Sequence, residues 1–179
     1  MSKRPEPEPD PFDVFDADDA PALAVAPALG RPAASLHPLV RSFVDEHLPA
    51  VAAALRGDGD GRLAALLESS SQAATVASAA QCKTHAAEAS ALGWDALQRS
   101  GAWPADAWRE AFVLAQLLLC WSDAAAEKLP SALRRLDMAL ILGGPSALVA
   151  NAMQILESAA ADEEEGMGEG AATLVPAAA

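Results

Sequence analysis

The chain has no tyrosine and few aromatic residues of any kind, which together make up 4% of its 179 positions. Valine and isoleucine are sparse, and apolar and polar residues do not alternate over long stretches, so a β-sheet is not expected. Runs of about 18 uncharged apolar residues are missing, so the sequence predicts no membrane-spanning helix. These shortages leave helices as the expected structure.

Cysteine is scarce as well, with Cys82 and Cys120 as the only two. The N-terminus leads into acids and prolines rather than into the apolar run of a secretory signal. We therefore expect an intracellular protein with reduced thiols. A disulfide between the two cysteines is the alternative, and that compartment disfavours it.

Basic residues are few, with 12 Lys and Arg against 25 Asp and Glu and a formal net charge of −13. Most of this charge lies at the two ends of the chain. Residues 1–34 contain seven acids and three bases, and residues 161–179 contain five acids and no base. Phosphate groups are bound by clustered Lys and Arg, so neither a nucleic acid nor an anionic membrane is predicted as a partner.

Alanine supplies much of the 52% hydrophobic content and favours helices. From Ser35, which we expect to cap the first helix, apolar residues recur at spacings of three and four. Pro49 predicts a kink in that helix or its division into two. The next helical region is expected to begin at Arg62, with Asp60 as its cap, and to run to Leu92, with or without a break at 69–71.

Further helices are predicted from Asp106, from Pro130 at a natural first helical position, and after Pro145. The expected fold is all-α, with five to seven helices in an antiparallel bundle or a tetratricopeptide-like stack of helical hairpins. Residues 35–160 form this domain. Residues 1–34 and 161–179 are predicted to be disordered acidic tails.

Phe12 and Phe15 lie within an acidic stretch, Asp10-Pro11-Phe12-Asp13-Val14-Phe15-Asp16. Apolar residues interleaved with acids are typical of short motifs that fold on a basic, grooved partner. The alternative, which we favour, is an acidic solubilising tail with a few apolar residues.

Candidate chemistry is limited to isolated residues. Cys82 and His85 lie three apart on a predicted helix, but a structural zinc site needs four ligands and the remaining Cys and His residues show no paired spacing. An iron site with two histidines and a carboxylate is not predicted either, because no His is followed by an acid at the usual spacing. We therefore predict no catalytic, metal-binding or cofactor-binding residue and no small-molecule substrate.

The tryptophans admit two interpretations. Trp94, Trp103 and Trp108 are compatible with an aromatic cage for a methylated lysine. We favour a structural role, in which they anchor helix to helix by burying a large area. Trp121, at a predicted helix end, is expected to be partly exposed and to mark an interface.

Asp137 is an acid within an apolar helix, between Leu136 and Met138. It is either a binding-site carboxylate or, as we prefer, a charge paired with Arg134, Arg109 or Arg135, as burial would require.

Several segments between Trp94 and Gly143 resemble those of a known family. The matching segments are Trp94-Asp95-x-Leu97, Gly101-x-Trp103, Trp108-Arg109-x-x-Phe112, Leu118-Leu119-Cys120 and Ala132-Leu133-Arg134-x-x-Asp137-Met138-x-Leu140-x-x-Gly143. They are similar to the N-terminal helical domain of the family of Jumonji-C protein five, also called lysine demethylase eight and proposed as an arginyl hydroxylase. The resemblance covers roughly residues 63–157, and Leu136 belongs to the same apolar stripe.

The resemblance implies a nuclear or cytoplasmic protein related to iron(II)- and 2-oxoglutarate-dependent oxygenases. In that family the metal ligands lie in a later catalytic domain, and no position here matches one. We therefore expect a non-catalytic scaffold or interaction domain with an unidentified protein partner, in a chain that is a fragment, a truncated form or a stand-alone module. The alternative is an independent adaptor that uses Phe12 and Phe15.

Overall fold

The computed structural model describes residues 31–99 and 106–169, with side chains up to 162. Within these ranges the chain forms helices and no strand, which confirms the predicted all-α class. The helices are α1 (Arg31–Gly57), α2 (Gly61–Thr75), α3 (Ala79–Arg99), α4 (Asp106–Ala125), α5 (Leu129–Gly143) and α6 (Ala147–Glu169). None of the described helices has an apolar stretch of the length that a bilayer crossing requires.

Helix α4 is the centre of the domain. It packs against α1, α2, α3 and α5, and every residue from Ala111 to Ala124 is buried. A helix that is buried on all sides cannot show a clear apolar stripe, and α4 accordingly contains Gln116 and Asp123 among its buried residues. These four helices cover α4 with their leucines and alanines, and α6 packs on the outside against α1 and α5.

Three connections between helices share one backbone design. After α1, α2 and α4 a three-residue turn follows whose second residue has a positive φ: Gly59 at 89°, Ala77 at 54° and Glu127 at 56°. In each turn the third residue donates its N–H to a carbonyl five positions back, and the second donates to one three positions back. This is a common helix-ending motif with a left-handed residue. The repeated turn joins α1 to α2, α2 to α3 and α4 to α5 as successive hairpins.

The structure places several helix ends differently from the sequence prediction. Helix α1 begins at Arg31 rather than Ser35, since Ala33 is fully buried and Pro32 lies in the first turn, where a missing N–H is harmless. Ser35 is therefore no cap, and its hydroxyl donates to the carbonyl of Arg31. The predicted tail boundaries at 34 and 160 both fall inside helices, because α6 continues to Glu169.

Of the two outcomes expected at Pro49, division into two helices does not occur, since α1 continues through this residue. The interruption in the second helical region lies at 76–78 and not at 69–71. Asp60 does occupy the position before α2, but its side chain makes no capping hydrogen bond.

Candidate interaction groove

Helices α3, α4 and α5 enclose an open groove of about 350 Å³. Its floor comes from α4 and its walls from the two flanking helices. The lining residues are Ala87, Ser90, Ala91, Trp94, Phe112, Gln116, Leu119, Arg135 and Met138. We call this surface the Trp94 groove.

Trp94 is the largest apolar side chain on this surface and is 42% exposed. Its ring is tilted against that of Phe112, with 5.8 Å between the ring centroids, and this contact fixes one face of the indole. The small residues Ala87 and Ala91 precede it on α3 by one and two turns, which leaves the surface beside the indole low. An exposed tryptophan next to a hollow is typical of the anchor positions in protein interfaces.

Gln116 lies at the floor of the groove and is 2% exposed. Its Nε2 donates to Oγ of Ser90 at 2.7 Å, while Oε1 is buried with no partner among the described residues. Exchanging the two amide atoms would leave the nitrogen unpartnered instead, so one polar atom is unsatisfied in either orientation. Such an atom costs about 1–3 kcal/mol. Because it is fully buried, a ligand in the groove would recover this cost only if the Gln116 side chain turns toward the groove.

Arg135, which lines the groove, contacts a buried carboxylate, that of Asp123, whose side chain is 1% exposed. Its Oδ1 lies 2.5 Å from Nζ of Lys83 on α3. Its Oδ2 accepts a hydrogen bond from Ser131 Oγ at 2.9 Å and lies 3.4 Å from Nε of Arg135, both on α5. A single acid thus connects the three helices that form the groove.

The charge balance of this cluster is positive. Burial by itself raises the pKa of Asp123, but the hydrogen bonds from Lys83 and Ser131 and the two nearby cations outweigh burial, so the pKa lies below its ordinary value. The carboxylate is therefore ionised at neutral pH, and two cations share it. Arg135 meets it only through Nε and also lines the groove, where it is the one charged side chain among the lining residues.

Two other hollows in the described part of the chain differ from this groove. The one lined by Phe43, His47 and Arg109 measures about 210 Å³. There His47 Nδ1 is hydrogen-bonded to the carbonyl of Phe43, and Arg109 pairs with Asp106. A third hollow, of about 280 Å³, lies between the start of α1 and α6, where Arg31 pairs with Asp162. Neither is lined by a buried polar side chain that lacks a partner.

Both cysteines are free and buried. Burial raises the pKa of Cys82 to about 11 and that of Cys120 to about 12. Neither thiol is therefore ionised or reactive near neutral pH. Cys82 and His85 are not accompanied by further ligands, since the described residues contain no group of three His, Cys, Asp or Glu that could hold a metal.

The three tryptophans within the described residues differ in their exposure. Trp94 is exposed rather than part of the core, so the structural interpretation was wrong for this residue. Trp108 is partly buried against the core, and Phe112 is 2% exposed at the floor of the groove. Trp121 was expected to be partly exposed, yet it is fully buried beside His37, because α4 is covered from every side.

The α5 residues divide between core and surface. Leu136 is fully buried, and Leu133, Met138 and Leu140 are half-buried, as is Leu97 on α3. Asp137 is exposed, and none of the ion pairs in the described part of the chain involves it, so its expected pairing with an arginine was wrong. The buried, paired acid is Asp123 instead. Trp103, Phe12 and Phe15 lie outside the described residues.

Sequence reasoning did not single out Gln116, Ser90, Lys83 or Asp123. Gln116 and Asp123 offered a weak signal, because each is a polar residue inside the apolar run from Ala111 to Ala124. Arg135 was named only as a partner for Asp137. Which residues of α3 and α5 meet α4 depends on how the helices pack, and their own periodicity does not encode it.

The groove lies within the part of the chain that matches a known protein family. No curated protein and no solved structure matches the chain. A family model described as KDM8-like, N-terminal ARM repeats matches residues 63–170, which include α3, α4 and α5. ARM repeats are stacked helical units, in agreement with the hairpins found here. The match covers more than half of the chain, and the chain therefore belongs to this KDM8-like family through its N-terminal ARM-repeat region.

Proposed function

We propose that the helical domain is a non-catalytic protein-interaction domain that holds an extended polypeptide segment in the Trp94 groove. The observation behind this proposal is the exposed indole of Trp94 on the wall of a groove between three helices. An extended backbone presents both N–H donors and C=O acceptors, so it would also pair with the unpartnered Gln116 amide when that side chain turns toward the groove. An apolar side chain of the same segment would pack on Trp94.

The groove offers binding groups and no evident reactive pair. Arg135 is its one charged lining residue, and the hydroxyl of Ser90 accepts from Gln116 with no histidine among the lining residues. Nucleophilic catalysis needs a base next to the nucleophile, and acid–base catalysis needs a positioned titratable group. These features support a binding role.

The cofactors that the family resemblance implies are iron(II) and 2-oxoglutarate. An iron centre of two histidines and a carboxylate needs three ligands close together, and the described residues do not supply such a group. They do not fit the iron of a Jumonji-C oxygenase, and we assign neither iron nor 2-oxoglutarate to this domain. A nuclear or cytoplasmic location stays a prediction.

The test begins with peptides selected on the full chain from a random displayed library. Their affinities are then measured by fluorescence anisotropy for the wild type and for Trp94→Ala, Gln116→Leu and Val76→Ala. Val76 is the matched control, because it is an exposed apolar residue after α2 and does not line the groove. Circular dichroism verifies that each variant is folded.

We expect Trp94→Ala to weaken binding by about thirtyfold, as truncation of an interface anchor does. Gln116→Leu should also weaken binding while it leaves the helical content unchanged. Val76→Ala should bind like the wild type. Equal affinities of the Trp94→Ala and Val76→Ala variants, or the failure of the library to yield any peptide, would contradict the proposal.

A further inference from the structure

We propose that residues 10–19 of this chain dock into the Trp94 groove and compete there with segments of other proteins. This inference rests on the proposed function, because it needs the same groove. The docking segment contains Phe12, Val14 and Phe15 between acidic residues. Phe12 and Phe15 would then contact the groove of their own chain. Their role would not be limited to the recruitment of a separate basic partner.

The charges of the segment and of the groove are complementary. The chain has a net charge of −13, yet the one charged residue that lines the groove is a cation, Arg135. Arg135 shares the single carboxylate of Asp123 with Lys83, which leaves one positive charge in excess in this cluster. A segment with an acid on both sides of each phenylalanine matches a groove in which an apolar surface borders this excess charge.

Chemical fit is the second argument. Trp94 and the half-buried Met138 offer apolar and sulfur surface to a phenylalanine ring. When the Gln116 side chain turns toward the groove, the backbone of the same segment would provide the donor or acceptor that its buried amide lacks. Two of the four phenylalanines of the chain lie in this short segment, whereas Phe112 is itself part of the groove.

Reach is the third argument. Fifteen residues separate Phe15 from Arg31, where α1 begins. Fully extended, they span up to roughly 50 Å. A compact domain of this size has a radius of gyration of about 14 Å, so every part of its surface is within reach. Tethering at this length gives an effective concentration in the millimolar range, at which a weak contact is well populated.

The experiment uses the full chain with the photo-reactive residue benzoylphenylalanine at position 12, or at position 23 as the control. Leu23 is apolar and lies in the same N-terminal region but outside the acidic segment. After irradiation and trypsin digestion, mass spectrometry locates the cross-link. The expected product is monomeric and joins position 12 to the tryptic peptide 84–99, which contains Trp94. Position 23 should give little of this product.

A second readout measures competition directly. A library-selected peptide should bind the Phe12→Ala/Phe15→Ala double variant about tenfold more tightly than the wild type, for an intrinsic dissociation constant of about 100 µM and an effective concentration of about 1 mM. Leu23→Ala should bind like the wild type.

The outcomes separate the two proposals. Cross-links from position 12 that avoid peptide 84–99, that match those of position 23, or that appear only in dimers would overturn the internal docking. So would equal affinities of the wild type and the double variant. In each of these cases peptides that still lose affinity on Trp94→Ala leave the proposed function standing. If Trp94→Ala has no effect on any peptide, the proposed function fails as well.

Discussion

Lys83 on α3 and Asp123 on α4 form a 2.5 Å ion pair across a helix interface, in which the carboxylate is buried and the ammonium is 41% exposed. Ser131 and Arg135 bring α5 to the same carboxylate. The carboxylate of Asp123 therefore connects the three helices that form the Trp94 groove. Its loss should affect both the stability of the domain and the shape of the groove.

We expect Asp123→Asn to lower the free energy of unfolding by about 2–3 kcal/mol, because hydrogen bonds to a buried charge are lost and two cations keep no counter-ion. The measurement is urea unfolding followed by circular dichroism. Glu88→Gln is the matched control, since Glu88 forms an exposed pair with Arg62. Exposed pairs contribute about 0–1 kcal/mol, so equal losses in the two variants would contradict the structural role of Asp123.

The lowered pKa of Asp123 also predicts a pH dependence. A carboxyl whose pKa is lower in the folded than in the unfolded state stabilises the fold above the unfolded value. The contribution is lost as the pH falls from about 4 through the folded pKa. Urea midpoints between pH 6 and pH 2.5 should therefore fall more steeply for the wild type than for Asp123→Asn. Parallel curves would show that Asp123 is not the group responsible.

The two buried thiols predict that the free energy of unfolding falls as the pH rises in the alkaline range. Their pKa values of about 11 and 12 exceed the ordinary value of 9.0, so the folded state keeps them neutral while the unfolded chain ionises them. The stabilisation is full below pH 9 and is lost as the pH rises through the folded values. Between pH 9 and pH 10 the ionisation of each thiol in the unfolded chain should lower the free energy of unfolding by about 1 kcal/mol.

Thermal or urea unfolding across this pH range measures that loss. The control is Cys82→Ala/Cys120→Ala, which should lose about 2 kcal/mol less than the wild type over the same pH step. An identical slope in the two proteins would contradict burial of the thiols.

The shared turns give a prediction that needs no binding partner. Glu127 and Ala77 occupy left-handed positions that strain a side chain, whereas Gly59 occupies the equivalent position without strain. Glu127→Gly and Ala77→Gly should each stabilise the domain by about 0.5–1 kcal/mol, and Gly59→Ala should destabilise it by a similar amount. Glu127→Ala, which keeps the strain, serves as the control. A loss of stability in Glu127→Gly would exclude the left-handed turn.

The same turns show where sequence reasoning reached its limit. The expected cap at Asp60 before a helix from Arg62 predicted the first turn, and Pro130 predicted the start of α5. The turn at 76–78 has neither glycine nor proline, so it gave no local signal and the break was expected at the serines of 69–71. Tertiary packing holds Ala77 in a conformation that its sequence does not favour.

The candidate groove was harder to predict than the fold. Apolar spacing placed α4 and α5 correctly, because periodicity is a property of each helix alone. The choice of Asp137 as the buried acid followed from its apolar neighbours Leu136 and Met138, but only the packing of α3 against α4 brings Lys83 to Asp123. Likewise, Trp94 is exposed because the described neighbouring helices leave part of its ring uncovered. The sequence of α3 alone does not encode that arrangement.

The most direct test of the account is a spectrum of side-chain amide and indole N–H groups of the ¹⁵N-labelled chain. Its four indoles are assigned with single Trp→Phe variants. Addition of a library-selected peptide should shift the Trp94 indole and the Gln116 amide and leave the buried Trp121 indole in place. A peptide that binds while the Trp94 and Gln116 signals stay unchanged would contradict the assignment of the Trp94 groove as the interaction site.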